Sequence, residues 1–405
     1  MKLIQRAPAL LALLLLLLSC AGPAQAQTYQ VVATETTEVA PGLKKTVTTV
    51  QHGPNPLDRF LVTRVRGAAQ GRARRGALLL LPPLGSGFQN YEVGDGGDYD
   101  KSFAGFFARR GFDVWGYSQR VQGLGSGTCE SGAADCSAMA GWGMQTILDD
   151  VAYIRGQIEI GRPGGKVVVG GLSLGSIASI AAINQRPQDY AGAILIEGSL
   201  YTANPEERAI NAGFCSMFDG LLAAGVYYDG QNTPGFKLLS HLAEVAPDDP
   251  TPLPGFPAGF TNHRAWVAAM AAPPVSPTTP RPGYAFLAGS VERDGFTYAD
   301  EALVHANIRG FVDYVATRTV RDVSCGLAGE TTYTGNLHGF GGPVLMLAGG
   351  RGFGPEMLDT KALMTNATVT LDYREDYGHV DHVFSTRHMR EVEHPVLAWL
   401  TREVR

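Results

Sequence analysis

The chain has 405 residues, 45% of them hydrophobic and 18% charged, with a net charge of -5. That length means one large domain with insertions or two domains, with enough apolar material for a sizeable core. The slightly acidic balance excludes nucleic acid as the main partner, and the one basic cluster, Arg72, Arg74 and Arg75, reads as a solvated turn.

Lys2 and Arg6 flank the start of an apolar run over residues 10–18, and Ala24-Gln25-Ala26 supplies a small-x-small cleavage site. Residues 1–26 therefore read as a signal peptide, and the mature protein is expected to be exported and soluble, periplasmic or extracellular. The run is too short for a comfortable membrane span, and no later stretch is long enough. A lipoprotein signal at Leu17-Leu18-Ser19-Cys20, with Cys20 acylated, is the competing reading, but Leu18 stands where a small residue is usual. Four cysteines remain, Cys129, Cys136, Cys215 and Cys325, an even number that suggests disulfides in an exported protein. Proximity pairs Cys129 with Cys136, leaving Cys215 for Cys325, out of three possible connectivities.

Residues 29–39, 45–51 and 59–66 are rich in Val and Thr and alternate as antiparallel strands do. Ala77-Leu78-Leu79-Leu80-Leu81 is continuously apolar, as in a strand covered on both faces. Helix is expected over residues 103–110, strand over 112–115, and helix over 143–158 with Ile147, Val151 and Ile154 on one face. Strand signals follow at residues 166–170 and 191–196, with a small-residue helix at 176–182 between them. The alternation then stops. Residues 199–337 are rich in Pro, Gly and aromatics and read as an inserted lid, with helices expected at 263–271 and 299–314. Its Phe214, Phe218, Tyr227, Tyr228, Phe256, Phe260 and Trp266 are mostly expected as lid core, some lining an apolar acyl pocket. Alternation resumes with a strand at 343–348, a helix at 355–364, a strand at 368–373 and a closing helix at 387–403. The class is α/β: a mostly parallel sheet with antiparallel strands at its amino-terminal edge, built from residues 27–198 and 338–405 around the lid.

Gly171-Leu172-Ser173-Leu174-Gly175 lies between an apolar strand and a helix. A serine in G-x-S-x-G at such a junction is a nucleophile elbow, its hydroxyl exposed on a sharp turn. The hydroxyl needs a base. His379, in Asp376-Tyr377-Gly378-His379-Val380-Asp381-His382, stands after the last strand and is preferred to His382; Asp381 and His382 are expected to orient the loop. The triad acid has three candidates. Gly352 occupies the position after the 343–348 strand where an aspartate is expected, so Glu197, at the end of the 191–196 strand, is preferred, with Glu356 and Asp359 behind it. Oxyanion donors are expected from the Leu174 amide and from Leu84 or Gly85 in the Pro82-Pro83-Leu84-Gly85-Ser86-Gly87 loop. His379, Asp381 and His382 have metal-like spacing, but no second cluster completes a shell, so no metal is expected. Gly350-x-Gly352-x-Gly354 lacks the G-x-G-x-x-G spacing and no P-loop occurs, so no cofactor is expected either.

These features together resemble the α/β-hydrolase superfamily: the elbow, the Pro82 loop and the Gly378-His379-x-Asp381 loop. Gly111-Phe112-Asp113-Val114-Trp115-Gly116 also looks like the corresponding strand of acid lipases. The likeness spans about residues 60–200 and 340–405. It implies Ser173 as nucleophile, His379 as base and the Leu84 and Leu174 amides as oxyanion hole. The expected activity is esterase- or lipase-like hydrolysis of a small-molecule carboxylic ester with an apolar acyl group, through an acyl-enzyme. The rivals are a catalytically inactive fold used for binding, motivated by the missing aspartate, and an amidase or acyltransferase using the same serine.

Overall fold

Short apolar strands decide the architecture, because each must bury both faces. The computed structural model describes residues 29–67, 75–230, 233–250, 262–265, 267, 287 and 298–404. The amino-terminal segment with Cys20, Arg72 and Arg74, most of the helix expected at 263–271, and Phe256, Phe260 and Trp266 lie outside the described residues.

Three strands open the fold: β1 (Tyr29–Ala40), β2 (Leu43–His52) and β3 (Arg59–Gly67). After them come β4 (Ala77–Leu81), α1 (Phe103–Arg109), β5 (Asp113–Ser118), α2 (Met144–Gly161), β6 (Val167–Leu172), α3 (Leu174–Gln185) and β7 (Gly192–Ile196). The long connection that follows carries α4 (Pro205–Ala223), β8 (Tyr228–Gly230), α5 (Thr233–Val245), α6 (Glu301–Arg309), β9 (Tyr314–Ala316) and α7 (Thr317–Ala328). The chain then returns through β10 (Pro343–Gly349), α8 (Gly354–Leu363), β11 (Thr368–Arg374), α9 (Asp381–Phe384) and α10 (His394–Glu403).

Nine strands form one sheet in the order β1-β2-β3-β5-β4-β6-β7-β10-β11. β1, β2, β3 and β5 pair antiparallel, and from β5 to β11 every pairing is parallel. Alternation divides each central strand between two layers. Leu79, Val169, Leu195 and Met346 pack with Ile147, Ile154 and Ile180 on one face. Leu78, Leu80, Val168, Ile194 and Leu345 pack with Phe107 and Trp399 on the other. Parallel strands of this kind leave their carboxyl ends on one edge, where β4, β6, β7, β10 and β11 deliver the loops of the site.

Two helix expectations need correction. The helix expected over 299–314 is α6 alone: Asp300 caps it by accepting from the Ala302 and Leu303 amides, Gly310 ends it, and residues 314–316 turn into β9 to pair with β8. The closing helix is also not continuous. Met389–Glu393 is a π turn before α10, whose second residue is Pro395; proline has no N–H to continue the α ladder across that junction. Both disulfides, Cys129–Cys136 and Cys215–Cys325, form, the second joining α4 to α7.

Candidate functional site

Ser173 stands between β6 and α3 with φ 57° and ψ -120°. Its N–H donates to the Ile196 carbonyl at 2.9 Å, which ties the turn to the end of β7. The two glycines of the elbow are required by a neighbouring strand: a Cβ on Gly171 would lie 2.1 Å from the Leu81 carbonyl oxygen, and one on Gly175 would lie 1.9 Å from it. Leu174 is the first residue of α3, so its amide has no intrahelical acceptor and points out of the helix end.

His379 lies on the loop after β11, buried, with Nε2 2.8 Å from Ser173 Oγ. Its Nδ1 is 3.4 Å from Glu197 Oε2. The loop is braced from behind, where the Asp381 carboxylate accepts from the Gly378 N–H at 2.6 Å. Burial pushes the imidazole down to about 3, so near neutral pH the ring is uncharged and able to accept a proton. His382 is also buried and pushed down to about 3, chiefly by burial, but its ring packs against Tyr377 at 5.1 Å and does not line the cavity beside Ser173.

Glu197 is wholly buried, with φ 52°. Oε2 accepts from the Phe353 N–H at 2.7 Å and Oε1 from the Gly349 N–H, so backbone amides solvate a carboxylate that water cannot reach. The departure at Gly352 has a direct cause. A Cβ there would lie 1.9 Å from Glu197 Oε2 and 3.0 Å from the His379 Cα. The space an aspartate at 352 would need is filled by the carboxylate arriving from β7. The other two carboxylates are engaged elsewhere: Asp359 accepts from the Ala203 N–H at 2.7 Å, and Glu356 sits in the first turn of α8.

A cavity of about 290 Å³ opens beside Ser173. Leu84, Leu174, Ile177, Phe311 and Phe384 contribute to a mainly apolar lining. Pro82 and Pro83 carry no N–H, so Leu84 has the first amide after β4. Gly85 is not among the lining residues, and its carbonyl accepts from the Val312 N–H at 2.9 Å. Of the lid aromatics, Phe214, Phe218, Tyr227 and Tyr228 are not among the lining residues, Phe256, Phe260 and Trp266 lie outside the described residues, and Phe311, Phe353 and Phe384 line the cavity. Sequence reasoning also missed Asn90 and Asn307, both on the wall, because no local pattern announces which residues of a long connection fold back over the elbow. Among the described residues, a metal-ligand grouping occurs at Cys215, Asp219 and Cys325, but its two sulfurs are joined to each other.

The sheet order, the elbow after β6 and the histidine loop after β11 define an α/β-hydrolase fold. Among solved structures the chain is similar to a candidate lipase from Sulfolobus solfataricus, with 20% identity over 92% of this chain and 99% of that one and a TM-score of 0.63. It is also similar to a thermostable carboxyl esterase from Bacillus coagulans, with 15% identity over 92% and 100% and a TM-score of 0.54. No protein-family model matches the chain, and no curated protein matches its sequence.

Proposed function

We propose that this protein is an exported serine hydrolase that cleaves carboxylic esters. One observation carries the reading: Ser173 Oγ, His379 and the Glu197 carboxylate form a continuous chain, 2.8 Å at the first link and 3.4 Å at the second. The fold likeness to a candidate lipase and a carboxyl esterase supports the choice of an ester substrate. The mainly apolar cavity suits an apolar acyl group. Two disulfides, and no helix long and apolar enough to cross a membrane among the described residues, agree with export.

Ser173 Oγ attacks the ester carbonyl while its proton passes to His379 Nε2. Glu197 holds the Nδ1–H tautomer and stabilises the imidazolium as it forms. The tetrahedral oxyanion takes hydrogen bonds from the Leu174 and Leu84 amides. Collapse expels the alcohol, which receives the proton from Nε2, and water repeats the sequence on the acyl-enzyme. The β7–β10 connection acts as a lid, since its Phe311, Val320 and Val323 complete the cavity wall. The missing aspartate gives no reason to read the fold as inactive, because Glu197 occupies the space at Gly352.

A p-nitrophenyl ester chain-length series tests this reading. Wild type is expected to turn over and to be labelled by a fluorophosphonate. Ser173→Ala loses labelling and at least about 10³-fold in kcat, and Glu197→Gln loses about 10² to 10⁴-fold. Glu356→Gln and Asp359→Asn stay near wild type. An unlabelled Ser173 in folded protein rejects the proposal.

A further inference from the structure

Besides Ser173 and His379, the polar side chains lining the cavity among the described residues are Asn90 and Asn307. They are 3% and 5% exposed, and each carries an unpartnered polar atom: Nδ2 of Asn90 and Oδ1 of Asn307. Folded proteins rarely leave such atoms unpaired, and both belong to residues that line one otherwise apolar cavity, which points to a ligand that pairs them.

Both residues are held in register with the nucleophile. Asn90 belongs to the 3-10 turn Phe88–Tyr91. Its neighbour Tyr91 accepts from the Leu172 N–H at 2.8 Å, one residue before Ser173, and donates to the Leu81 carbonyl at 2.7 Å. Asn307 lies in the last turn of α6, just before Gly310, whose carbonyl accepts from Gln89 Nε2 at 2.5 Å. The same Gln89 Nε2 donates to Ser86 Oγ at 3.3 Å, and Ser86 Oγ donates to Asn90 Oδ1 at 2.6 Å. This relay runs from the end of α6 to the Asn90 amide. Its oxygen faces Ser86, and its NH2 is the group left without a partner.

Resting on the serine-hydrolase reading, we propose that Asn90 and Asn307 determine specificity for an ester bearing a free hydroxyl, placed in an otherwise apolar chain near the scissile carbonyl. A hydroxyl both accepts and donates, so it takes the Asn90 N–H and gives its own proton to Asn307 Oδ1. A carboxylate fits poorly, since it has no proton to give Asn307 and no Lys or Arg is among the described lining residues. A purely aliphatic chain strips water from both amides and leaves them unpaired, so the site selects against it.

The hydroxyl belongs either to the acyl part or to the alcohol part, and matched esters separate the two. Ethyl 3-hydroxybutyrate is compared with ethyl butyrate, and 2-hydroxyethyl butyrate with propyl butyrate, by kcat/KM on wild type, Asn307→Leu and Asn90→Leu. Melting temperatures establish folding, and Asn307→Ala and Asn90→Ala replace any leucine variant that fails to fold. The expected result is a preference of at least about tenfold for the hydroxylated member of one pair, collapsing to within twofold in the variants. The pair showing the preference identifies the side that carries the hydroxyl. Turnover of both members within twofold by wild type overturns the inference while leaving the hydrolase intact, as does a preference that survives every substitution. Failure of wild type to hydrolyse any of the four esters, with Ser173 unlabelled by a fluorophosphonate, overturns the hydrolase reading and this inference with it.

Discussion

Ser173 and Glu197 are the non-glycine residues with positive φ among the described residues, and both meet one histidine. Such backbone costs about 1–2 kcal/mol at each position, and each excursion lifts a side chain off the end of its strand towards His379. The geometry makes Gly352 as necessary to the proposed acid as Glu197 itself. Gly352→Ala forces the carboxylate off His379 Nδ1, and kcat/KM is expected to fall about 10²-fold. In a Glu197→Gln background the same substitution should add little, because the pair acts through one contact; ester kinetics on the single and double variants check this, and additive losses would refute it. His379 yields a second prediction. In the proposed mechanism its neutral form is the active one, and burial lowers its folded pKa below 6.5. Activity is therefore retained below the pH at which an ordinary imidazole protonates, and the acid limb of a kcat/KM–pH profile should lie below 6.5. Ser173 and His379 were legible in the sequence because their signals are local: a glycine pair around a serine, and a histidine after the last strand. The preference for Glu197 over Gly352 was legible only as an absence. Its reason, a steric exclusion between residues 155 positions apart, exists only in the fold.

At the scale of elements, the central strands were legible because burial on both faces demands unbroken apolar runs, as Leu78 to Leu81 show, although the strand expected at 112–115 runs on to Ser118; β1 to β3, more exposed, were legible from their alternation. The β7–β10 connection was not. β8 and β9 have three residues each and pair across some eighty positions, so neither carries a local pattern. α6 is set by its Asp300 cap, and the segment after it is tied to the Pro82 loop by the Val312 N–H donating to the Gly85 carbonyl. The 3-10 turn after that loop was equally silent, yet Tyr91 pins it to two strands at once. Gly171 is the last residue of β6 to pair with β4, opposite Leu81, so the following Leu172 N–H turns to Tyr91 Oη instead. Tyr91→Phe keeps the ring packing but orphans that buried N–H. The expected cost is about 1–3 kcal/mol in urea denaturation. A fall in kcat/KM should accompany it, since the turn also carries Asn90 and follows the Leu84 amide. Unchanged stability would mean that water replaces the hydroxyl.

For the whole molecule, three buried histidines and the buried Asp150 bear on the response to pH. His379 and His382 are buried and pushed down to about 3, whereas His388 is raised to about 9 by Glu393 at 2.7 Å and Asp95 at 2.9 Å, which outweigh its burial. A depressed histidine stabilises the fold above the ordinary value of 6.5 and loses that contribution as pH falls, because the unfolded chain takes up the proton first. A raised histidine does the reverse: its contribution is complete below 6.5 and disappears as pH rises through 9. Below 6.5 the unfolded chain therefore binds more protons than the fold through His379 and His382, an excess that Asp150, raised to about 6 by burial, partly offsets on the acid side; above 6.5 the fold binds one more through His388. At about 1.4 kcal/mol per proton and pH unit, stability should peak near pH 6.5 and fall on both sides. Denaturant midpoints from pH 5 to 9 measure both slopes. His388→Gln should flatten the alkaline arm and leave the acid arm in place, because Asp95 and Glu393 lie on the loop after β4 and on the π turn, away from the elbow. An alkaline arm that persists in His388→Gln would place its origin in another group.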